Sequence, residues 1–519
     1  MLRVTSLKKI FINDPIFKDI SFTLDTGEKA ALVGMNGTGK TTLLRMIAGL
    51  EETEWGKIEM PKDTVIGYVP QDVSLEGEKT LEQYFQGIDT FKIKAFLSGF
   101  GMHALDFNRT ISSLSSGQKT KIVLTALLLK NPDIILLDEP TNNLDLPSLI
   151  WLEDYLKKTK LSAIIVSHDR TFLDHVTTKI LEIDWKTKTL TETGGKYSAY
   201  LEQNRKKIKN AKVAYRLQQE QISNLQKEAD NKREQGIRGS KWEASDNDRL
   251  AKGYNRDKSS DSLKRAKVIE KRIDQMEKIE KPVEREPLEI PLTAPKNSGA
   301  LHITLEDAVV GYPNSFSIGP LSLDISYGKR IALLGLNGSG KSTILKTLTG
   351  KLEPLKEKVH IGSGIKIGNM MQEHESLPKE ITLLAYLEEK GGLSKTRAYE
   401  ILIRFGFTSE QAETKIGILS PGSRARLLIA YFGAIGANTL VLDEPTNHLD
   451  MEAVDALGEA LSSYTGSVIL VSHDRSFIEH AKIDSFYLIE DGRFSRIPDY
   501  QEYLDDAEKR AEKLVRVLR

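Results

Sequence analysis

The strongest constraint on this 519-residue chain is that it repeats itself. Gly34-Met-Asn-Gly-Thr-Gly-Lys40-Thr41 returns as Gly335-Leu-Asn-Gly-Ser-Gly-Lys341-Ser342, an offset of 301 residues. Phe11 and Tyr312 keep that offset, and so do Gln71 and Gln372. Further along the offset becomes 305, for Ser115 and Ser420, Asp138 and Asp443, Glu139 and Glu444, His168 and His473. One constant replaced by another, four larger, means a short insertion between two copies of one domain. The chain is a tandem duplication.

The pattern within each copy sets the fold class. Short β-branched runs at 30–33, 134–137 and 163–166, matched by 331–334, 439–442 and 467–471, alternate with helical stretches. Such alternation predicts an α/β fold with a mainly parallel core sheet. The expected organisation is a first domain over 1–200, a linker over 201–285 and a second domain over 286–519. Within 281–299, Pro282, Pro287, Pro291 and Pro295 predict an extended connector.

Residues 201–281 differ in kind, with 22 Lys and Arg against 14 Asp and Glu, a net +8 in a chain whose total is zero. Ile208, Ala211, Tyr215, Gln218, Ile222 and Leu225 step by three and four, and so do Ala266, Ile269, Ile273 and Met276. Both are coiled-coil seams. The Gly-containing stretch from about 231 to 261 separates them. The expectation is an antiparallel helical hairpin with an irregular tip, its arms some 30 residues and about 45 Å long.

Balanced charge argues against a uniformly basic nucleic-acid binder, but not against positive charge gathered in one place. The absence of cysteine removes disulfides, thiolate nucleophiles, Cys-type zinc sites and iron–sulfur clusters. No apolar run approaches the ~18 residues of a membrane span. Met1-Leu-Arg-Val opens on strand-like alternation, not a signal peptide. A cytoplasmic protein is expected.

Gly-x4-Gly-Lys-Ser/Thr places a glycine-rich turn between a strand and a helix N-terminus. Backbone N–H groups then surround the β- and γ-phosphates of a nucleotide, the Lys adds a point charge, and the hydroxyl binds Mg2+. The expected nucleotide ligands are Gly34, Asn36, Gly37, Gly39, Lys40, Thr41 and Thr42, and in the second copy Gly335, Asn337, Gly338, Gly340, Lys341, Ser342 and Thr343. Ile134-Ile-Leu-Leu-Asp138-Glu139 and Leu440-Val-Leu-Asp443-Glu444 each end an apolar strand with two carboxylates. The first can hold Mg2+ through water; the second can polarise an attacking water. His168 and His473 each stand 29 residues beyond their Glu, in Val-Ser-His-Asp-Arg. A lone His is usually structural, but a duplicated one after a buried strand reads as a γ-phosphate sensor.

At these residues the chain resembles ATP-binding-cassette proteins. Leu114-Ser-Ser-Gly-Gln118 and Leu419-Ser-Pro-Gly-Ser423 look like their signature loop, and Asp138-Glu-Pro-Thr-Asn-Asn-Leu-Asp145 and Asp443-Glu-Pro-Thr-Asn-His-Leu-Asp450 like their Walker B and D-loop region. Two cassettes joined by a charged helical linker resemble the ABC-F family of ribosome-associated ATPases. The resemblance implies a monomer holding two P-loop cassettes head to tail, with ATP and Mg2+ at two composite sites. One combines Lys40, Thr41, Gln71, Asp138, Glu139 and His168 with Ser420 and Gly422. The other combines Lys341, Ser342, Gln372, Asp443, Glu444 and His473 with Ser115 and Gly117. In this reading Glu139 and Glu444 are general bases, Gln71 and Gln372 assist at the metal with Thr41, Asp138, Ser342 and Asp443, and Phe11 and Tyr312 stack on adenine. The alternative for the two rings is a place in the core. Ser423 and Pro421 depart from the usual signature, and Asn143 stands where the second copy has His448; the site using Ser420 to Ser423 is expected to be the slower.

The resemblance also implies a partner. In that family the hairpin enters the exit-tRNA site of the ribosome, contacts peptidyl-site tRNA and points toward the peptidyl-transferase centre. Lys232, Arg233, Arg238, Lys241, Arg249, Lys252, Arg256 and Lys258, with Trp242 and Tyr254 among them, suit large-subunit RNA: cations neutralise phosphates and rings stack on bases. The plainer reading is a solvated helix face. Only 44 residues separate Gln71 from Ser115, and 48 separate Gln372 from Ser420, so neither cassette holds a large extra arm. That resembles the antibiotic-resistance subgroup, which protects ribosomes from drugs, and equally members that relieve stalled translation without a drug. A tandem ATPase serving a membrane importer would not need the basic hairpin, and the arm is too short for a long coiled-coil DNA-repair ATPase. Neither a membrane subunit nor DNA is expected as partner.

Overall fold

The structure, a computed structural model, describes the chain apart from residues 12–13, 36, 74, 76, 104, 241–248, 277–278, 280–301, 372–376, 448, 450 and 519. For 11, 14, 239–240, 249–259, 421, 452 and 517 it describes the backbone alone. It is an α/β protein of two P-loop cassettes with a helical insertion between them.

Each cassette is built on a six-stranded sheet of one strand order. In the first the order is Ile66–Val69, Ile134–Asp138, Ser162–Val166, Lys29–Val33, Lys179–Ile183, Leu190–Gly194. The second repeats it with Ile367–Met370, Thr439–Asp443, Ser467–Val471, Arg330–Gly335, Ser485–Glu490, Arg493–Ile497. Every neighbouring pair is parallel except the last, which is an antiparallel hairpin. The central strands read as continuous apolar runs because both faces are covered, and every residue of Lys29–Val33, Ile134–Asp138 and Ser162–Val166 is buried.

A three-stranded antiparallel sheet, with Leu2–Phe11 between Asp14–Leu24 and Trp55–Glu59, covers one face of the first cassette, and its counterpart covers the second. The helix Lys40–Ile47 lies within that core: Leu43, Leu44, Met46 and Ile47 pack among Leu2, Phe17, Phe22 and Ile164. A separate small core of Leu81, Phe85, Ile93, Leu97, Leu114 and Ile122 holds the helices Thr90–Gly99 and Ser116–Leu129, the second of which carries the signature loop at its start.

The two cassettes form one compact unit, Met1–Ser198 with Pro287–Arg519, and Ala199–Glu286 forms a second. In the latter the helix Tyr197–Ser240 runs out and Arg249–Gln275 returns. Gln218 Oε1 accepts from the Ile279 N–H at 2.8 Å, and Arg233 pairs with Glu270, so the helices run antiparallel. Two expectations are corrected here. Residues 231–240 and 249–261 are helical rather than irregular, residues 241–248 lie outside the described residues, and the outgoing helix of 44 residues is about 66 Å long. Gly236 explains the continuity: it sits buried at the seam position two turns beyond the buried Ala229, where a missing side chain lets the helices approach. The lower seam is shorter than its periodicity, since Ile208 and Ala211 are exposed. The returning helix ends at Gln275, and Ile279, four residues on, meets Gln218, short of both.

Candidate active site

Four neighbouring parallel strands deliver the site of the first cassette to one sheet edge. Gln71 follows Ile66–Val69, Asp138 ends Ile134–Asp138 and is followed by Glu139, His168 follows Ser162–Val166, and Gly34 follows Lys29–Val33. The carboxyl edge of an open parallel sheet is where ligands bind. The second cassette does the same with Asp443, Glu444, His473 and Gly335.

The phosphate loops are built from left-handed glycines. Gly39 and Gly340 cap their helices at φ 89° and 101°, and a Cβ on either would stand 2.3 Å from Ile16 or Ile318. Lys40 and Lys341 are buried at the helix starts, where Lys40 Nζ donates to Gly34 O at 2.8 Å and Met35 O at 3.1 Å. Lys341 Nζ donates to Gly335 O at 2.9 Å and Leu336 O at 3.0 Å, and burial lowers its pKa. Each cation is thus held over its own loop, among Thr41 and Thr42 or Ser342 and Thr343 of the same first turn.

Glu139 and Glu444 both adopt φ 50°, a left-handed conformation uncommon outside glycine, each fixed by its N–H on the neighbouring strand's last carbonyl, Val166 O or Val471 O, at 2.9 Å. His168 Nε2 stands 3.2 Å from Glu139 Oε1, and His473 Nε2 3.2 Å from Glu444 Oε1. Burial pushes the Glu139 carboxyl up to about 7 and Glu444 up to about 8, and holds His473 down to about 3. In the second cassette the pair is therefore poised uncharged at neutral pH, a protonated Glu444 carboxyl beside a neutral His473 imidazole.

The residues present fit a divalent ion. Asp138 Oδ2 is buried without a hydrogen-bond partner beside the Thr41 hydroxyl that bonds the same carboxylate, and Ser342 bonds Asp443 likewise. Among the described residues no group of three or more His, Asp or Glu could hold a metal alone. A hydroxyl and one carboxylate leave the remaining positions to phosphate oxygens and water.

The first cassette's signature and D-loop meet the second's phosphate loop. Asp145 Oδ2 accepts from the Asn337 N–H at 2.8 Å, and Asn143 O accepts from Asn337 Nδ2 at 3.1 Å. Gly117 is buried there: a Cβ on it would stand 3.0 Å from both Asn143 O and Asn337 Nδ2. Asn143 Nδ2 also donates to Gln71 O at 3.3 Å, so one residue touches parts of both expected sites. Ser115 caps its helix reciprocally with Gln118, at 3.3 Å and 3.1 Å. In the second cassette Ser420 accepts from Ser423 N at 3.3 Å, but the Ser423 hydroxyl only meets Ser420 Oγ at 3.0 Å and leaves the Ser420 N–H uncapped. Gly422 is half-buried one residue before it.

Tyr312 ends its strand 43% exposed, which removes the core reading for that ring; the Phe11 side chain lies outside the described residues, as do Asn36 and Gln372. Gly37 and Gly338 take φ 84° and 85° with open space around them. Of the expected RNA contacts, Lys232 lies half-buried on the seam, Arg233 pairs with Glu270, and Arg238 stands 3.5 Å from Glu234. Lys241 and Trp242, and the side chains of Arg249, Lys252, Tyr254, Arg256 and Lys258, lie outside the described residues. Sequence reasoning missed Tyr68, whose hydroxyl bonds Asp138 and is pushed up to about 12 by burial, and Lys121, whose Nζ lies 2.6 Å from Asp145 Oδ2. Only the duplicated position of Asp145 in its motif signalled the latter pair.

Two parallel-sheet phosphate loops, each with its Asp-Glu strand end and a His 3.2 Å from that Glu, and one signature loop seated on the other copy's phosphate loop, define a tandem ATP-binding-cassette ATPase. The ABC transporter family model matches residues 17–142 and 318–447. YfmM, an ABC transporter ATP-binding protein of Bacillus subtilis, is 31% identical over 525 residues, covering 92% of this chain and 96% of that one. The ABC transporter F family member 2 of Arabidopsis thaliana is 29% identical over 571 residues, covering 99% and 80%. The chain belongs to the ABC-F family of ATP-hydrolysing, ATP-binding proteins. Its fold is also that of a solved RNase-L Inhibitor (TM-score 0.62, 18% identity, 97% of this chain and 92% of that one) and of a ribosome-bound archaeal Pelota and ABCE1 model (TM-score 0.60, 18% identity, 99% and 80%).

Proposed function

We propose that the protein is a ribosome-bound ATPase whose helical hairpin acts on peptidyl-site tRNA and the large-subunit RNA around the peptidyl-transferase centre. The observation that carries the ATP half is the cross-cassette bond from Asn337 to Asp145, which puts Gly117 against a phosphate loop it does not belong to. The ribosomal half rests on the basic antiparallel hairpin and on the F-family relatives, with a ribosome-bound neighbour in fold alone.

ATP closes the cassettes by adding γ-phosphate contacts to both faces of each site. Lys40 with Ser420 and Gly422, and Lys341 with Ser115 and Gly117, bind the phosphates from opposite sides; the signature helices contribute N–H groups at their N-termini. Phe11 and Tyr312 stack on adenine. Glu139 and Glu444 orient and deprotonate the attacking water, each steered by its His, and an apo pKa of about 7 or 8 suits proton transfer near neutral pH. Thr41 and Asp138 with Gln71, and Ser342 and Asp443 with Gln372, hold Mg2+, which neutralises phosphate charge when bound. Hydrolysis reopens the dimer and releases the protein. No helix among the described residues is long and apolar enough to cross a membrane, and the proposed place of action is the cytoplasm.

The test is sedimentation of the Glu139→Gln, Glu444→Gln protein with purified ribosomes. Co-sedimentation that requires ATP supports the reading. A protein that binds ATP yet stays in the supernatant at low salt overturns it and points to a membrane partner. Drug protection is the narrower proposal, resting on the long hairpin and on the short helices Leu81–Tyr84 and Thr90–Gly99, with no arm, between Gln71 and Ser115. Expression that raises resistance to drugs of the peptidyl-transferase centre supports it; ribosome binding without raised resistance assigns the protein to relief of stalled translation.

A further inference from the structure

The helix Leu146–Lys158 of the first cassette touches the second cassette's site twice. Its N-cap Asp145 holds the phosphate loop at Asn337. Two turns on, Glu153 holds Arg475, which stands two residues after His473: Arg475 Nη2 bonds Glu153 Oε1, and Nη1 lies 3.4 Å from Oε2. Both partners are buried, at 3% and 6% exposure. His175 Nδ1 meets Glu153 Oε2 at 2.9 Å, and Asp169 Oδ2 lies 4.0 Å from Arg475.

The second cassette does not return the arrangement. Its equivalent helix, Met451–Ser463, aligns at the offset of 305 and carries Gly458 where the first has Glu153. A Cβ at Gly458 would already stand 3.2 Å from His480, which packs on that spot, and His480 Nδ1 bonds Ser476 O at 2.7 Å, with no carboxylate to meet. Arg170, the counterpart of Arg475, turns to Asp455 at 2.6 Å, and the Asp455 side chain is 42% exposed. A half-solvated pair positions weakly, whereas removing one partner of a buried pair leaves a charge without compensation.

We propose that Glu153 is a positioning residue for ATP hydrolysis at the Lys341, Glu444 and His473 site, holding His473 on Glu444 through Arg475, and that the Lys40, Glu139 and His168 site has only the half-solvated Arg170–Asp455 pair in its place. Hydrolysis at the two sites therefore differs in its dependence on the opposite cassette. This rests on the general-base roles given to Glu139 and Glu444.

The test uses the full chain with one site silenced at a time. In the Glu139→Gln background, where only the second site turns over, Glu153→Gln is expected to lower kcat at least tenfold while the KM for ATP stays within twofold. Adding Arg475→Gln to that protein is expected to cost no more, because both changes break one link. In the Glu444→Gln background Glu153→Gln is expected to leave kcat within twofold, which also shows that the cassettes still fold and close. Equal losses in the two backgrounds, or no loss with only the second site active, overturn the proposal. Turnover that survives Glu139→Gln and Glu444→Gln together overturns the general-base roles themselves, a result separate from any effect of Glu153.

Discussion

Asp145 of the first cassette accepts a hydrogen bond from the backbone N–H of Asn337, in the phosphate loop of the second, at 2.8 Å. The same oxygen takes Lys121 Nζ at 2.6 Å, and its partner oxygen caps the helix through the Ser148 N–H at 3.2 Å. Burial alone would raise this carboxyl, but the Lys121 charge and these bonds outweigh it and hold the pKa at about 2. Asp145→Ala is expected to leave Lys121 buried without its counter-ion, to cost about 3–5 kcal/mol, and to loosen the second phosphate loop. Urea unfolding and ATP titration check both effects. An unchanged unfolding midpoint would show that the buried pair contributes nothing.

Replacing Glu139 and Glu444 together by Gln should lower ATP turnover by about 10²–10⁴-fold, the range that a positioned base contributes. ATP should still bind, since Lys40, Lys341 and the loop N–H groups are untouched. A double variant cycling at the parental rate would mean that water is activated elsewhere.

The same residues set a pH dependence in the nucleotide-free protein. Burial raises Glu139 from 4.5 to about 7 and Glu444 to about 8, so between pH 4.5 and 8 the folded chain keeps protons that the unfolded chain has released. Stability attributable to them therefore falls as pH rises through that window. His473, held down to about 3 from 6.5, acts in the opposite sense but only below pH 6.5. Above that value the carboxyls decide. The Glu139→Gln, Glu444→Gln protein is expected to melt about 2–4 °C higher than the parent at pH 8.5 and by about half that margin at pH 6. Calorimetry without nucleotide reads this directly, and equal melting at both values would contradict the raised carboxyls.

Gly39→Ala should abolish ATP binding at the first site. At φ 89° an L side chain is strained, and the new Cβ would meet Ile16 at 2.3 Å and Phe17 at 2.5 Å, so the loop must open. Equilibrium dialysis should find one site per chain in place of two. Two sites of parental affinity would show that the loop absorbs the methyl group.

The cassette architecture was legible because duplication marks it twice: each strand end named from Gln71, Asp138 or His168 arrives at the same sheet edge. The hairpin was legible in period and not in extent. Glycines in the stretch 231–261 suggested a break, but at Gly236, buried on the seam, helix–helix packing outweighs the ~1 kcal/mol that a glycine costs. What stayed hidden is what a motif cannot encode: Tyr68 beside Asp138, Lys121 beneath Asp145, and Glu153 on Arg475, pairs brought together from distant segments. Glu153 has no repeat partner, because Gly458 replaces it. A search for duplicated residues discards such positions, although an asymmetry between two sites resides in them.

The hairpin offers the sharpest separation of ATP chemistry from ribosome binding. Its two helices meet through small residues, Ala229 and Ala266, at 3% and 2% exposure, beside the half-buried Ile222, Leu225 and Ile269. Both helices are otherwise highly polar, so this narrow seam supplies most of the apolar contact between them. Ala229→Asp puts a carboxylate with no partner into the seam, and the two helices should lose their pairing. Basal ATP turnover should hold within twofold, because no cassette residue is altered. ATP-dependent co-sedimentation with ribosomes should weaken at least tenfold and lose part of its salt dependence, since the cations that neutralise RNA phosphates are no longer presented together. Parental co-sedimentation by a variant with a demonstrably melted hairpin would place ribosome binding on the cassettes alone.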